Sequence, residues 1–84
     1  MISAASVPRR RPGVSIEQVG DQAVMLDAAG TVARGLNATA VSVWELIDGV
    51  RSVREIADAL GEGDVVGDVV AFLGQLEARG LIDA

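Results

Sequence analysis

Three antiparallel strands followed by three helices, an α+β domain, is the fold the sequence predicts, and three observations predict it. Residues 14–36 carry short alternating or apolar runs broken at Gly20-Asp21 and at Asp27-Ala28-Ala29-Gly30, the pattern of strands joined by turns. From Asn37 onward the apolar spacing changes to threes and fours, which is helical. Strands in one block and helices in the next gather the helices on one side of a small antiparallel sheet.

Each element has its own local reason. The segment VSIEQV sets Val14 and Ile16 against Ser15 and Glu17, and AVMLD is a short apolar run between two turn signals; together they predict a hairpin. TVARGL then makes a third strand from Thr31 to about Leu36, weakened by Gly35. On the rim of a small sheet such a strand keeps amides and carbonyls free along one side.

Asn37 is an N-cap type, and Ala40, Val43, Trp44 and Ile47 recur on one face of the helix it opens. Gly49 stops that helix. Ser52 and Glu55 have the spacing of a capping box, and Val53, Ile56, Ala57 and Leu60 form the buried stripe of a second helix ended by Gly61 and Gly63. Asp64 is placed to cap a third helix running to about Arg79 and closed by Gly80, after which Leu81 and Ile82 fold back on the core. The predicted topology is winged-helix-like.

Composition narrows the function. The 84 residues form one small domain, 50% apolar, with material for a single modest core. Cysteine and histidine are both missing from the sequence, which removes the usual zinc ligands, thiol nucleophiles, imidazole bases and disulfides. Neither a catalytic group nor a cofactor site is predicted. No apolar run approaches the roughly 18 residues of a membrane span, so a soluble cytoplasmic protein is expected. Pro8 and Pro12 bracket Arg9, Arg10 and Arg11, which predicts a flexible arm over residues 1–13 and a folded domain over 14–84. That folded part holds four arginines against twelve acids, so a nucleic acid would meet repulsion instead of releasing counterions.

The third helix sharpens the point. Val66, Val69, Val70 and Leu73 form its expected core face, with Val65, Phe72 and Leu76 on an adjoining strip. This arc is wider than the roughly 100° stripe of a surface helix, so part of it faces something besides the chain's own core. Asp68, Gln75 and Arg79 border the Phe72 strip, while Gly67, Ala71, Gly74 and Ala78 make a stripe of small residues elsewhere. A DNA-reading helix needs arginine, lysine, asparagine or glutamine aimed at base edges with basic neighbours for phosphates. Asp68, Gln75, Glu77 and Arg79 make a poor reader.

Three stretches taken together, the lead-in PRRRPGV, then GLNATAVSVWELIDGVRSVREIADAL, and the closing DVVAFLGQLEARGLI, resemble the PqqD-like family, the peptide-recognition proteins of pyrroloquinoline quinone biosynthesis and their relatives, the RiPP recognition elements. The resemblance spans residues 8–82. It rests most on Leu36-Asn37, Asp48-Gly49, the restart from Ser52 to Ile56, and Asp68-Val69 with Phe72-Leu73 and Leu76 ahead of Gly80-Leu81. It implies a winged-helix-like fold without DNA binding, in which the leader segment of a ribosomally made precursor peptide adds a strand to the sheet between the third strand and the third helix. Main-chain hydrogen bonds then set register, and pockets for alternate side chains set selectivity.

Carried onto this chain, the resemblance places leader contacts on Thr31, Val32, Ala33 and Arg34, mostly through backbone groups, and on Val65, Asp68, Val69, Phe72 and Gln75 of the third helix. Phe72 is the implied floor of the cleft, and Asp68 the implied acceptor for a leader amide or partner for a basic side chain. The implied partners are a precursor leader and a modifying enzyme of the radical S-adenosylmethionine type, with no nucleic acid and no membrane. Ala33-Arg34-Gly35 stands where many relatives carry a tyrosine or tryptophan shortly before the Leu-Asn pair. Other readings are a winged-helix nucleic-acid binder, an acyl carrier using Ser42 or Ser52, and an accessory domain that forms a homodimer through the free strand edge.

Overall fold

The computed structural model describes residues 1–61 and 63–84. In chain order the elements are β1 (Arg9–Arg10), β2 (Ser15–Val19), β3 (Gln22–Leu26), β4 (Val32–Leu36), α1 (Ala38–Leu46), α2 (Val53–Ala59), α3 (Val66–Ala78) and β5 (Ile82–Asp83). β2, β3 and β4 form an antiparallel meander in that order, and the three helices follow it, as the sequence predicts.

One face of the sheet is buried because its side chains alternate. Ala23 and Met25 of β3 and Leu36 of β4 point into the core, where they meet Val43, Trp44 and Ile47 of α1 and Val53, Ile56 and Ala57 of α2. From α3 the buried residues are Val69, Leu73 and Leu76. The core face of this helix is therefore turned from the expected one: Leu76 is fully buried, while Val66 and Val70 are only half-buried. Leu76 replaces them because Leu81, Ile82 and the N-terminal segment pack beneath the end of α3 and extend the core that way. A Cβ added at Gly67 or Gly74 would meet nothing within 4 Å, so at these two positions nothing among the described residues packs closely on the small-residue stripe.

The local helix signals act as their chemistry requires. Asn37 Oδ1 accepts from the Ala40 amide at 2.8 Å. Ser52 and Glu55 exchange both bonds of the capping box, Glu55 Oε1 accepting from the Ser52 amide at 2.9 Å and Ser52 Oγ from the Glu55 amide at 3.2 Å. Gly49 takes a φ of +79°, which turns the chain between α1 and α2 at little steric cost. Asp64 does not cap α3. Val65 occupies that position without a side-chain hydrogen bond, and Asp68 in the first turn supplies the negative charge the helix start favours.

Residues 1–13, expected to be a flexible arm, lie along the body instead. Arg9 and Arg10 pair antiparallel with Asp83 and Ile82, Pro8 is fully buried, and Ile2 joins the core. The physical reason is the start of α2, whose first amides have no partner within the helix. The Val53 amide donates to the Ser6 carbonyl at 2.8 Å and the Arg54 amide to the Ala4 carbonyl at 3.0 Å, while the Glu55 amide is held by Ser52. The arm thus completes the cap that the capping box begins.

Candidate functional site

Among the described residues β4 has a neighbouring strand on one side only, so its other edge is open, and the sequence controls that edge in a specific way. Its register against β3 pairs Leu26 with Val32 and Met25 with Arg34, leaving Ala33 as an extra residue, a β-bulge. The bulge sends two successive residues inward: Ala33 and Arg34 are both half-buried, whereas Val32 is 60% exposed. An inward cation and a bulge are two devices that keep edge strands from pairing with copies of themselves.

Arg34 crosses from β4 to α3. Its Nη1 donates to Gln75 Oε1 at 2.7 Å, and its guanidinium lies 5.0 Å from the centroid of the Phe72 ring. One turn further along α3, Arg79 Nη1 donates to the Ala33 carbonyl. β4 and α3 therefore run antiparallel past each other, and at the Arg34 end their side chains touch.

Beyond Leu36, where β4 gives way to α1, an apolar groove of about 230 Å³ opens between α1 and α3. Val65, Asp68, Val69 and Phe72 of α3 form one wall. Asn37, Thr39, Ala40 and Val43 at the start of α1 form the other, and Leu60 from the end of α2 closes it. Phe72, half-buried, belongs to both regions: one part of it faces the groove and its ring carries Arg34.

Of the nine residues nominated from the sequence, Val65, Asp68, Val69 and Phe72 come together in the groove, and Ala33, Arg34 and Gln75 meet at the bridge between strand and helix. Val69 is also a core residue, 3% exposed. Val32 stands on the exposed edge. Thr31 is set apart, because it precedes β4 in the turn, where its amide donates to Asp27 Oδ1 at 3.0 Å and its carbonyl accepts from the Asp27 amide at 3.0 Å. Residues not nominated are Asn37, Thr39, Ala40, Val43 and Leu60 of the groove and Arg79 at the edge. Ala40, Val43 and Leu60 carried an apolar helical signal that reads equally well as core, and they are at once the edge of the core and the wall of the groove.

The profile of the family described as coenzyme PQQ synthesis protein D (PqqD) matches residues 22–82, a span that holds β3, β4 and all three helices. The chain belongs to the PqqD family. Among solved structures, this PqqD-family chain is similar to TbiB1 in complex with the TbiA(β) leader peptide, with 25% identity, a TM-score of 0.72, and coverage of 90% of this chain and 95% of that one. Among curated proteins none matches it. The matched span holds two strands of the meander and the helices in the order described above, and no helix among the described residues is long and apolar enough to cross a membrane.

Proposed function

We propose that this PqqD-family chain is a non-catalytic peptide-recognition protein, which holds the leader of a ribosomally made precursor as an added strand on β4 and presents it to a separate maturation enzyme. The observation that carries the reading is the open β4 edge running into an apolar groove walled by Val65, Val69 and Phe72. A guest strand on that edge gains main-chain hydrogen bonds, and every second side chain falls on the groove side. The likeness to TbiB1, whose structure contains a leader peptide, supports the same use of the fold. Binding by both leader and enzyme raises the substrate's effective concentration at the enzyme, and a radical S-adenosylmethionine enzyme of the same cytoplasmic pathway is the partner proposed.

Pairing of two copies through β4 is disfavoured by the bulge at Ala33 and the inward Arg34, and α3 carries Asp68 and Glu77 with no basic residue before its C-cap Arg79, which disfavours nucleic acid. The test is a titration of the isotope-labelled chain with synthetic leaders of the precursors encoded near its gene. Amide shifts concentrated in residues 32–36 and along α3 are expected. A leader that is processed in the pathway yet leaves those amides unmoved ends the proposal.

A further inference from the structure

The cationic end of the β4 edge ties strand to helix through neutral partners and leaves two guanidinium charges without an acidic partner among the described residues. Arg34 is half-buried, and its Nε is shielded from solvent with no acceptor among the described residues. Its Nη1 is held by a neutral amide, Gln75 Oε1, and Arg79 is held by a neutral carbonyl, that of Ala33. Among the described residues the ion pairs are Met1 amino group to Glu77, Arg11 to Asp83 and Arg51 to Asp48. Neither Arg34 nor Arg79 is among them, although the chain has twelve acids for seven basic residues.

We infer that Arg34 and Arg79 form a clasp that a carboxylate side chain of the guest peptide opens, so that the segment recognised carries Asp or Glu where it lies over Val32–Arg34. This deepens the proposed function and rests on it. A guest added along β4 lies beside the Ala33 carbonyl, a backbone acceptor left out of the β3–β4 register, and in the free protein Arg79 occupies it. Displacing Arg79 frees an exposed guanidinium beside Arg34, whose shielded Nε has no acceptor among the described residues. A guest carboxylate accepts from these forked donors with charge-assisted bonds. A guest with a neutral side chain there leaves them unpaired, and that difference is the source of selectivity.

The opposite end of the cleft carries Asp68 at the mouth of the groove. A guest is thereby oriented as well as selected: an acid at the Arg34 end is attracted, and an acid at the Asp68 end is repelled.

The test uses a display library of random 14-residue peptides selected on the full chain, with retained peptides checked for amide shifts along β4. Among peptides that shift β4, Asp or Glu is expected at one fixed position, and changing it to Asn should weaken binding about tenfold. The same loss is expected with Arg79→Gln for the acidic peptide and not for its Asn counterpart, with Arg34→Gln as a second variant and melting curves to establish that both fold. Selection on Arg79→Glu should move the preference at that position to Lys or Arg. Peptides that shift β4 but show no acidic preference and bind both glutamine variants unchanged overturn the clasp and leave the peptide-binding reading standing. If no retained peptide shifts β4, the peptide-binding reading itself falls, and the clasp with it.

Discussion

Arg10 and Trp44 are joined twice: the guanidinium lies 4.9 Å from the centroid of the indole ring, and its Nη2 donates to the Trp44 carbonyl at 2.7 Å. That carbonyl is in the last turn of α1, which has no basic residue of its own, so the arm supplies the cation that a helix C-terminus favours. Arg10→Ala should cost about 1–2 kcal/mol in urea unfolding, with a red shift of Trp44 emission as the buried indole gains water. Arg11→Ala, which breaks only the exposed 3.5 Å contact to Asp83, should change stability by less than about 1 kcal/mol. Trp44 is not among the groove-lining residues, so its emission reports docking of the arm.

Deleting residues 1–7 should expose the first amides of α2. The Val53 and Arg54 amides lose the Ser6 and Ala4 carbonyls, and the core loses Ile2, together about 3 kcal/mol. Hydrogen exchange should then accelerate at Val53 and Arg54 and change far less at Glu55, whose acceptor, Ser52 Oγ, is untouched. Equal acceleration at all three amides would mean that the whole helix frays and that the arm is not its cap.

These contrasts mark where sequence reading reaches and where it stops. Asn37 with Ala40, and Ser52 with Glu55, are pairs three residues apart, so their chemistry is visible in the order of residues alone. The Ser6 to Val53 bond joins segments 47 positions apart, and an arm bracketed by Pro8 and Pro12 looks the same on paper whether free or docked. The open edge of the third strand was legible because strand order places it, whereas Val65, Asp68, Val69 and Phe72, which line the groove, were indicated by the family resemblance, since helical spacing alone set Val69 on the core face. The bulge at Ala33 was not, since it depends on how β3 and β4 register across the turn, and without it the inward course of Arg34 toward Phe72 has no sequence signal. Leu76 was assigned to the wrong strip for a related reason: what fills the space under the end of α3 comes from both ends of the chain.

Phe72 and Leu73 are neighbours with different tasks. Leu73 is fully buried, and Leu73→Ala should destabilise the chain by about 2–5 kcal/mol. Phe72 is half-buried between the groove and Arg34, and Phe72→Ala should cost about 1–2 kcal/mol of stability while weakening leader binding by more than about tenfold. Thermal melts alongside titration calorimetry separate the two. A Phe72→Ala protein that melts near the parent and binds leader with parental affinity removes Phe72 from the site.

Asp48 gives the turn between α1 and α2 a pH dependence whose sign is fixed by its contacts. Its Oδ1 accepts from the Arg51 amide at 2.8 Å and the Val50 amide at 2.9 Å, and the Arg51 guanidinium lies 3.1 Å from Oδ2. The amide bond from Arg51, then that from Val50, and then the charge of Arg51 hold the carboxyl below its ordinary value of 3.8. A carboxylate with a depressed folded-state pKa stabilises the fold above the unfolded-state value, and that stabilisation disappears as pH falls through the folded-state value. Asp48→Asn keeps an acceptor for the two amides and removes the charge, so it should melt below the parent at neutral pH. The gap should begin to narrow near pH 3.8 and close below it, as melting curves across that range will register; a gap that stays constant into acid would assign the effect to side-chain geometry instead of ionisation.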